Sequence, residues 1–338
     1  MLASLLLRPG RNPALTLPTG TAQLAARLCV LLINSLVADH FFAITLQDGR
    51  LFGSLIDILN RCAPTALLAL GMTLVIATGG IDLSVGAVMA ISGATMATLA
   101  SQGYSIPMIL LAVVGVGALC GLWNGLLVAV FRIQPIVATL ILMVAGRGIA
   151  QLLTEGQIIT FTNESLAWIG SGSLLWLPTP VVITLVMALL IWLLTKKTAL
   201  GLFIEAVGIN IRAAKNAGLN TQAVVTSSYV LSGILAAIAG MIVAADIRGA
   251  DANNAGLWLE MDAILAVVIG GTSLMGGRFN LLLSLIGILI IQAVNTGILL
   301  SGYQPQWNQI VKAVVVLTVL IMQSPAISQR FKGGSRHV

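Results

Sequence analysis

Charge is scarce in this sequence. Of 338 residues only 8% are Asp, Glu, Lys or Arg, while 58% are apolar. An ordinary soluble domain carries about 25% charged residues, and those keep its surface in water. A water-soluble globule is therefore excluded, and most of the surface must face lipid. Cysteine is nearly absent. Cys29, Cys62 and Cys120 are odd in number, have no metal-ligand spacing, and read as small core residues rather than a disulfide or metal site. The two histidines, His40 and His337, stand near opposite termini, and no HExxH or GxSxG motif accompanies them, so no catalytic constellation emerges. A GxxxxGK[ST] phosphate loop is also missing, so the chain is not expected to bind or hydrolyse ATP itself. The 17 basic residues raise the pI to about 9.7 but are not clustered with aromatics, which argues against nucleic acid. Only a brief Leu-rich run precedes Arg8, and no clear cleavage site follows it, so residues 1–21 read as an uncleaved cytoplasmic tail.

What is present is a series of long apolar runs. A membrane crossing needs about 20 mostly apolar residues. Runs near Ala22–Val37, Cys62–Thr78, Val85–Ala100, Met108–Phe131 and Pro135–Leu153 form a first group. A second lies near Val181–Thr195, Ala223–Ala245, Leu257–Gly270, Leu281–Leu300 and Ile310–Met322. Hydrocarbon offers backbone amides no partner, and the runs lack the alternation of a barrel strand, so helices are required. The expectation is an all-α polytopic protein of about ten transmembrane helices, a single permease-like domain over 22–322, and a basic tail at 323–338. The span at Leu257–Gly270 is weak and crosses only if Glu260 and Asp262 sit at the outer interface or inside the bundle.

Loop charge sets direction. With a cytoplasmic N-terminus, inside segments hold Arg8, Arg11, Arg132, Lys196, Lys197, Arg212, Lys215, Arg278 and the basic tail. Outside segments hold only Arg50, Arg61 and Arg248, together with nearly every acid. Both termini are expected in the cytoplasm.

The longest inside loop, 196–222, contains Asn210, a fair helix N-cap, and Gly218, a fair left-handed stop. They frame a helix of about two turns. Ile211, Ala214 and Ala217 fall on one side, and Arg212 and Lys215 share another. Such a helix docks in a partner's groove or lies solvated at the membrane surface.

Two segments, Gly79–Gly86 and Gly270–Gly277, both fit GGxxLxxG. Matching glycine interruptions in two halves of a transporter mark unwound helix at a permeation path, although 35 glycines make coincidence an alternative. Asp82 lies in the first break, where its carboxylate either caps the helix starting near Ser84 or meets a polar path. Arg147, well inside the fifth run, needs a partner, with an interfacial acid as the candidate; Lys312 lies near enough to a helix end to snorkel. Asn124, Gln151, Gln292 and Asn295 bridge helices or line a path for a hydroxyl-rich solute. Trp123 is either an interface residue or a face for a sugar ring. Gly117, Gly121 and Gly125 repeat at four-residue spacing, which permits close helix packing.

Three stretches, 69–86, 206–218 and 260–277, resemble in order the permeases of ATP-binding-cassette sugar importers of the ribose, xylose and autoinducer-2 type. The likeness covers about Ala22 to Met322. Leu51–Asn60 and Ala244–Trp258 resemble more closely the galactofuranose-importing branch. The resemblance implies that Glu205, Ala206, Val207, Gly208, Asn210, Arg212, Ala213, Ala214, Lys215 and Gly218 form the contact with an ATPase; Ile209 departs from the glycine many relatives carry. It also implies a bacterial inner-membrane location, a second related permease, an ATPase with two fused nucleotide domains holding ATP and Mg, and a periplasmic sugar-binding protein. Asp246, Arg248 and Asp251 are candidate docking points for that protein, and Asp82, Ser84, Trp123, Asn124, Gln151 and Asn295 are candidates for the sugar path or gate. The alternatives are an ATP-independent transporter or channel, and a membrane-embedded sugar-transfer enzyme, for which no grouped acid/base or metal-binding residues stand out.

Overall fold

The computed structural model describes residues 45–47, 50–300, 309–314 and 317. The expected N-terminal tail, the first span, most of the last span, the basic tail, Cys29 and both histidines lie outside those residues.

The first long helix, α1 (Ser54–Ala77), carries Pro64 without ending. From Cys62 to Ala77 every side chain is buried. It is followed by α2 (Val85–Ser101), α3 (Ile106–Ala129) and α4 (Pro135–Leu153). Proline in the first turn of α3 and at the start of α4 suits a position whose amide has no intrahelical acceptor. A short α5 (Glu164–Ser171) precedes α6 (Thr179–Lys197), α7 (Leu200–Ile209) and α8 (Ile211–Asn216). The chain then runs through α9 (Thr221–Asp246), α10 (Leu259–Ile269) and α11 (Leu281–Leu300). Three two-stranded ribbons tie the loops: Thr45–Gln47 with Arg50–Phe52, Ile159–Thr160 with Gly249–Ala250, and Ser173–Leu174 with Leu177–Pro178.

Helices α1, α2 and α9 make the core, whereas α3, α4 and α6 turn broad apolar faces outward. A helix apolar all round that stays largely exposed has lipid or another membrane chain as its neighbour. Six described helices, α1, α3, α4, α6, α9 and α11, are long and apolar enough to cross a membrane. The protein is a multi-pass membrane protein. Each span expected within residues 62–300 overlaps a helix, although α1 begins at Ser54, ahead of the expected Cys62, and α2, with 17 residues, is not among the six.

The weak span forms a helix, but a short one. Helix α10 has 11 residues, a length of roughly 16 Å at 1.5 Å per residue, about half a hydrocarbon core. It is a half-helix inside the bundle, with Glu260 and Asp262 at 7% and 8% exposure. Asp262 is matched there by Lys312, whose Nζ lies 2.7 Å from Oδ2. Lys312 therefore pairs inward, where snorkelling to the interface was expected. Arg147 donates its hydrogen bonds to the carbonyls of Ala252 (3.2 Å) and Ala255 (2.5 Å), and acids of the kind expected beside it, Glu260 and Asp251, act on it through charge.

The glycine repeat on α3 performs the packing expected of it. β-Carbons at Gly117, Gly121 and Gly125 would run into Gly233, Tyr229 and Thr226 of α9, so the two backbones are in direct contact along three turns.

Candidate functional site

Helix α8 is built as its sequence requires. The Asn210 side chain accepts from the amides of Arg212 (3.1 Å) and Ala213 (3.0 Å), filling the orphan donors of the first turn. Gly218 takes φ +87°, its amide bonds to Lys215 O, and Leu219 N bonds to Ala214 O. This pair of bonds is a Schellman stop. The helix between the two caps has six residues, a little under the roughly two turns expected. Ala214 is the buried contact, while Ile211, Arg212, Lys215 and Ala217 are exposed. The segment ahead of it, unassigned by sequence reading, is the separate helix α7, anchored by Gly201, Ile204 and Val207.

The end of α7 touches both glycine breaks. A β-carbon at Gly208 would overlap the Ala77 carbonyl and come within 2.5 Å of Gly277 N. Gly277 N in turn donates to Ala77 O at 2.9 Å, and Gly276 lies against Gly79 and the Gly208 carbonyl. The end of α1, the loop after α10 and the element leading into α8 thus meet backbone to backbone. The two breaks also stop their helices identically. Gly79 and Gly271 both take φ +83°, with Gly80 N bonded to Val75 O and Thr272 N to Val267 O. The structural register sets Gly79 against Gly271, one residue from the alignment given by GGxxLxxG.

Within the first break, just past its glycine turn, a buried polar cluster forms. Asp82, Ser84, Asn124 and Ser232 are all at most 1% exposed. Asp82 Oδ1 accepts from Ser84 N (3.1 Å), Ser84 Oγ (2.6 Å) and Asn124 Nδ2 (3.5 Å), while Oδ2 accepts from Ser232 Oγ (3.0 Å). Asn124 Nδ2 also donates to Ser84 Oγ at 2.8 Å. The carboxylate has no cation partner among the described ion pairs, and these donors offset the cost of burying it. Asp82 accepts from the backbone amide of Ser84, which opens α2, and from Asn124 of α3. Beside it, Asn124 Oδ1 and the Tyr229 hydroxyl are buried without a hydrogen-bond partner among the described residues, and a β-carbon on Gly80 would lie 2.6 Å from that hydroxyl. Thr139 of α4 accepts from Leu83 N at 3.2 Å, tying the unwound segment to a further helix.

A family model described as the permease component of the branched-chain amino acid transport system matches residues 54–320. The chain belongs to this permease family. The galactofuranose transporter permease protein YtfT of Escherichia coli (strain K12) is 72% identical over 316 residues, 94% of this chain and 93% of its own length. The fructose import permease protein FruF of Bifidobacterium longum (strain NCC 2705) is 40% identical over 313 residues, 91% of this chain and 88% of its own. The ribose import permease protein RbsC of Escherichia coli (strain K12) is 37% identical over 306 residues, covering 89% and 92%. No solved structure gives a significant match. The resemblance read from the sequence is borne out, and the permease is a transport component rather than an enzyme.

Other candidate residues of the permease are not gathered at the cluster. Trp123 is 53% exposed on the outward face of α3 with Leu119, Leu122 and Leu126, although its neighbour Asn124 points into the core. Gln151 donates to Asn253 Oδ1 at 2.7 Å near the far end of α9, and Asn295 bonds to Gln292 within α11. Asp246, Arg248 and Asp251 do lie together at that far end. Arg248 makes a two-pronged pair with Glu164, at 2.9 and 3.2 Å. Asp251 closes the following turn by accepting from Asn253 N, Asn254 N and Asn254 Nδ2. The Asn254 side chain, followed by the two backbone amides, holds its carboxyl below the usual 3.8. Sequence reading missed Ser232, Tyr229 and Thr139; a serine and a tyrosine three residues apart in an apolar helix was the available signal.

Proposed function

We propose that this chain is the membrane permease of an ATP-driven importer of a monosaccharide, with galactofuranose as the sugar. The 72% identity to a galactofuranose transporter permease over nine-tenths of both chains supports the sugar. The single observation supporting the mechanism is the backbone contact of Gly208 with Ala77 and Gly277.

In this reading α7 and α8, within the cytosolic loop 196–222, form the coupling element. An ATPase with two fused nucleotide domains, a separate polypeptide that binds ATP and Mg, grips the exposed Arg212 and Lys215. Glu205, Ala206, Val207, Gly208, Asn210, Ala213, Ala214 and Gly218 shape and seat the lever. Displacing it moves the Gly79 and Gly276–Gly277 turns together, because no side chain cushions Gly208 from either. Asp82, Ser84 and Asn124 are the gate of the sugar path, where hydroxyl and amide groups exchange hydrogen bonds with a polyol without a formal charge on it. Such coupling requires two states that the ATPase and the sugar each favour differently.

A second, related permease completes a heterodimer, and a periplasmic binding protein delivers the sugar to Asp246, Arg248 and Asp251. The protein lies in the bacterial inner membrane with about ten spans, in one domain over 22–322, and both termini in the cytoplasm. The test is co-purification with the ATPase. The Arg212→Glu/Lys215→Glu variant should fold and insert yet lose the ATPase, whereas wild-type retention in that variant would refute the proposed contact.

A further inference from the structure

Between α8 and the turn joining α3 to α4 lies a cavity of about 700 Å³, bordered by Gly79 and Gly80 of the first glycine turn and by Arg212 and Lys215, the two residues given above to the ATPase contact. Three cations line it: Arg212 and Lys215 from α8, and Arg132 from the turn. Among the described residues no aspartate or glutamate is in its wall, and none of the three cations takes part in an ion pair. Gln134 and Gln222 add side-chain amides. Arg132 is held at φ +56°, a left-handed conformation uncommon for a residue with a side chain.

Loop cations that only set membrane orientation need not converge. These come from two separate segments onto one concave surface, where apolar walls concentrate their field. We propose that this cavity binds a phosphate ester. The guanidiniums supply planar forks for its oxygens, the ammonium a point charge, and the amides fit hydroxyls on the body of the ligand. The volume lies within the range of small-molecule sites, larger than bare phosphate needs. An acidic phospholipid headgroup and a soluble sugar phosphate share this chemistry. Either would tie α8 to the α3–α4 turn and so restrain the lever; that consequence, unlike the binding itself, rests on the permease reading above.

The test uses the full chain in phosphatidylcholine nanodiscs, alone for both binding arms and then with its ATPase. One arm titrates galactose 6-phosphate, with inorganic phosphate as reference. The other adds photoreactive phosphatidylglycerol and maps the crosslinked peptide. Saturable sugar-phosphate binding identifies the soluble source, and crosslinking at 128–135 the lipid. In either case Arg132→Gly, which suits the positive φ and preserves the turn, should weaken the interaction roughly tenfold, the effect of losing one charge-assisted contact. The ATPase should remain bound in that variant. Absence of both signals, or signals that Arg132→Gly leaves unchanged, would overturn the site. Failure of the wild-type chain to retain an ATPase would instead count against the permease mechanism, and both binding arms remain readable on the chain alone.

Discussion

Gly208 is packed against the Ala77 carbonyl so closely that no β-carbon fits between them. Since Ala77 O also accepts from Gly277 N, one carbonyl joins the end of α7 to both glycine turns. A side chain at 208 has to push these turns apart. We expect Gly208→Val to retain the ATPase but to lower sugar-stimulated ATP turnover at least about tenfold, within the range of ordinary allosteric coupling energies. Turnover assays on the purified assembly check this, and unaltered stimulation would show that the contact transmits nothing.

The Asp82 cluster predicts a graded loss of stability. Asp82→Leu leaves the Ser84 and Ser232 donors unpaired in the core, each unsatisfied group costing about 1–3 kcal/mol, while Asn124 keeps its bond to Ser84 Oγ. Asp82→Asn retains an acceptor of the same shape and should lose less. Thermal unfolding in detergent should therefore rank wild type above Asn and Asn above Leu.

Lys312 and Asp262 form a pair whose side chains are only 16% and 11% exposed. Removing one partner of a buried pair costs about 3–5 kcal/mol, because the other charge is stranded. Lys312→Met should be severely destabilised, and Lys312→Met/Asp262→Leu should recover most of the loss. A double-mutant cycle read by thermal unfolding measures the coupling.

Much of this was legible in the sequence, and the residues show why. Asn210 and Gly218 frame α8 through local bonds that depend on a few neighbouring positions, and both caps form. Proline and apolar runs placed most of the described helices for the same reason. Glu260 and Asp262 were recognised as a difficulty, but only the fold shows α10 stopping halfway. The long-range partners were not legible. Ser232 reaches Asp82 across 150 positions, Lys312 reaches Asp262 across 50, and no local pattern specifies either. Gly208 looked like one glycine of many until the backbones opposite it were placed.

The Asp251 turn carries a pH prediction. Its carboxyl is held below the ordinary 3.8, first by the Asn254 side chain and then by the Asn253 and Asn254 amides. A depressed pKa means that its contribution is present above the ordinary value and lost as pH falls through the lowered one. The turn should remain closed from neutral pH down to about 4 and open only below it. Hydrogen exchange at the Asn253 and Asn254 amides reports this directly, with Asp251→Ala exchanging fast at every pH.

Transport itself tests the central claim, that motion of α7 and α8 by a separate ATPase drives the sugar path. The measurement is uptake of labelled galactofuranose into liposomes holding this chain and its partner permease, with the binding protein outside, and with or without ATPase and ATP inside. The account predicts uptake only when both ATPase and ATP are present, and its loss in Arg212→Glu/Lys215→Glu. Sustained uptake with neither would contradict it.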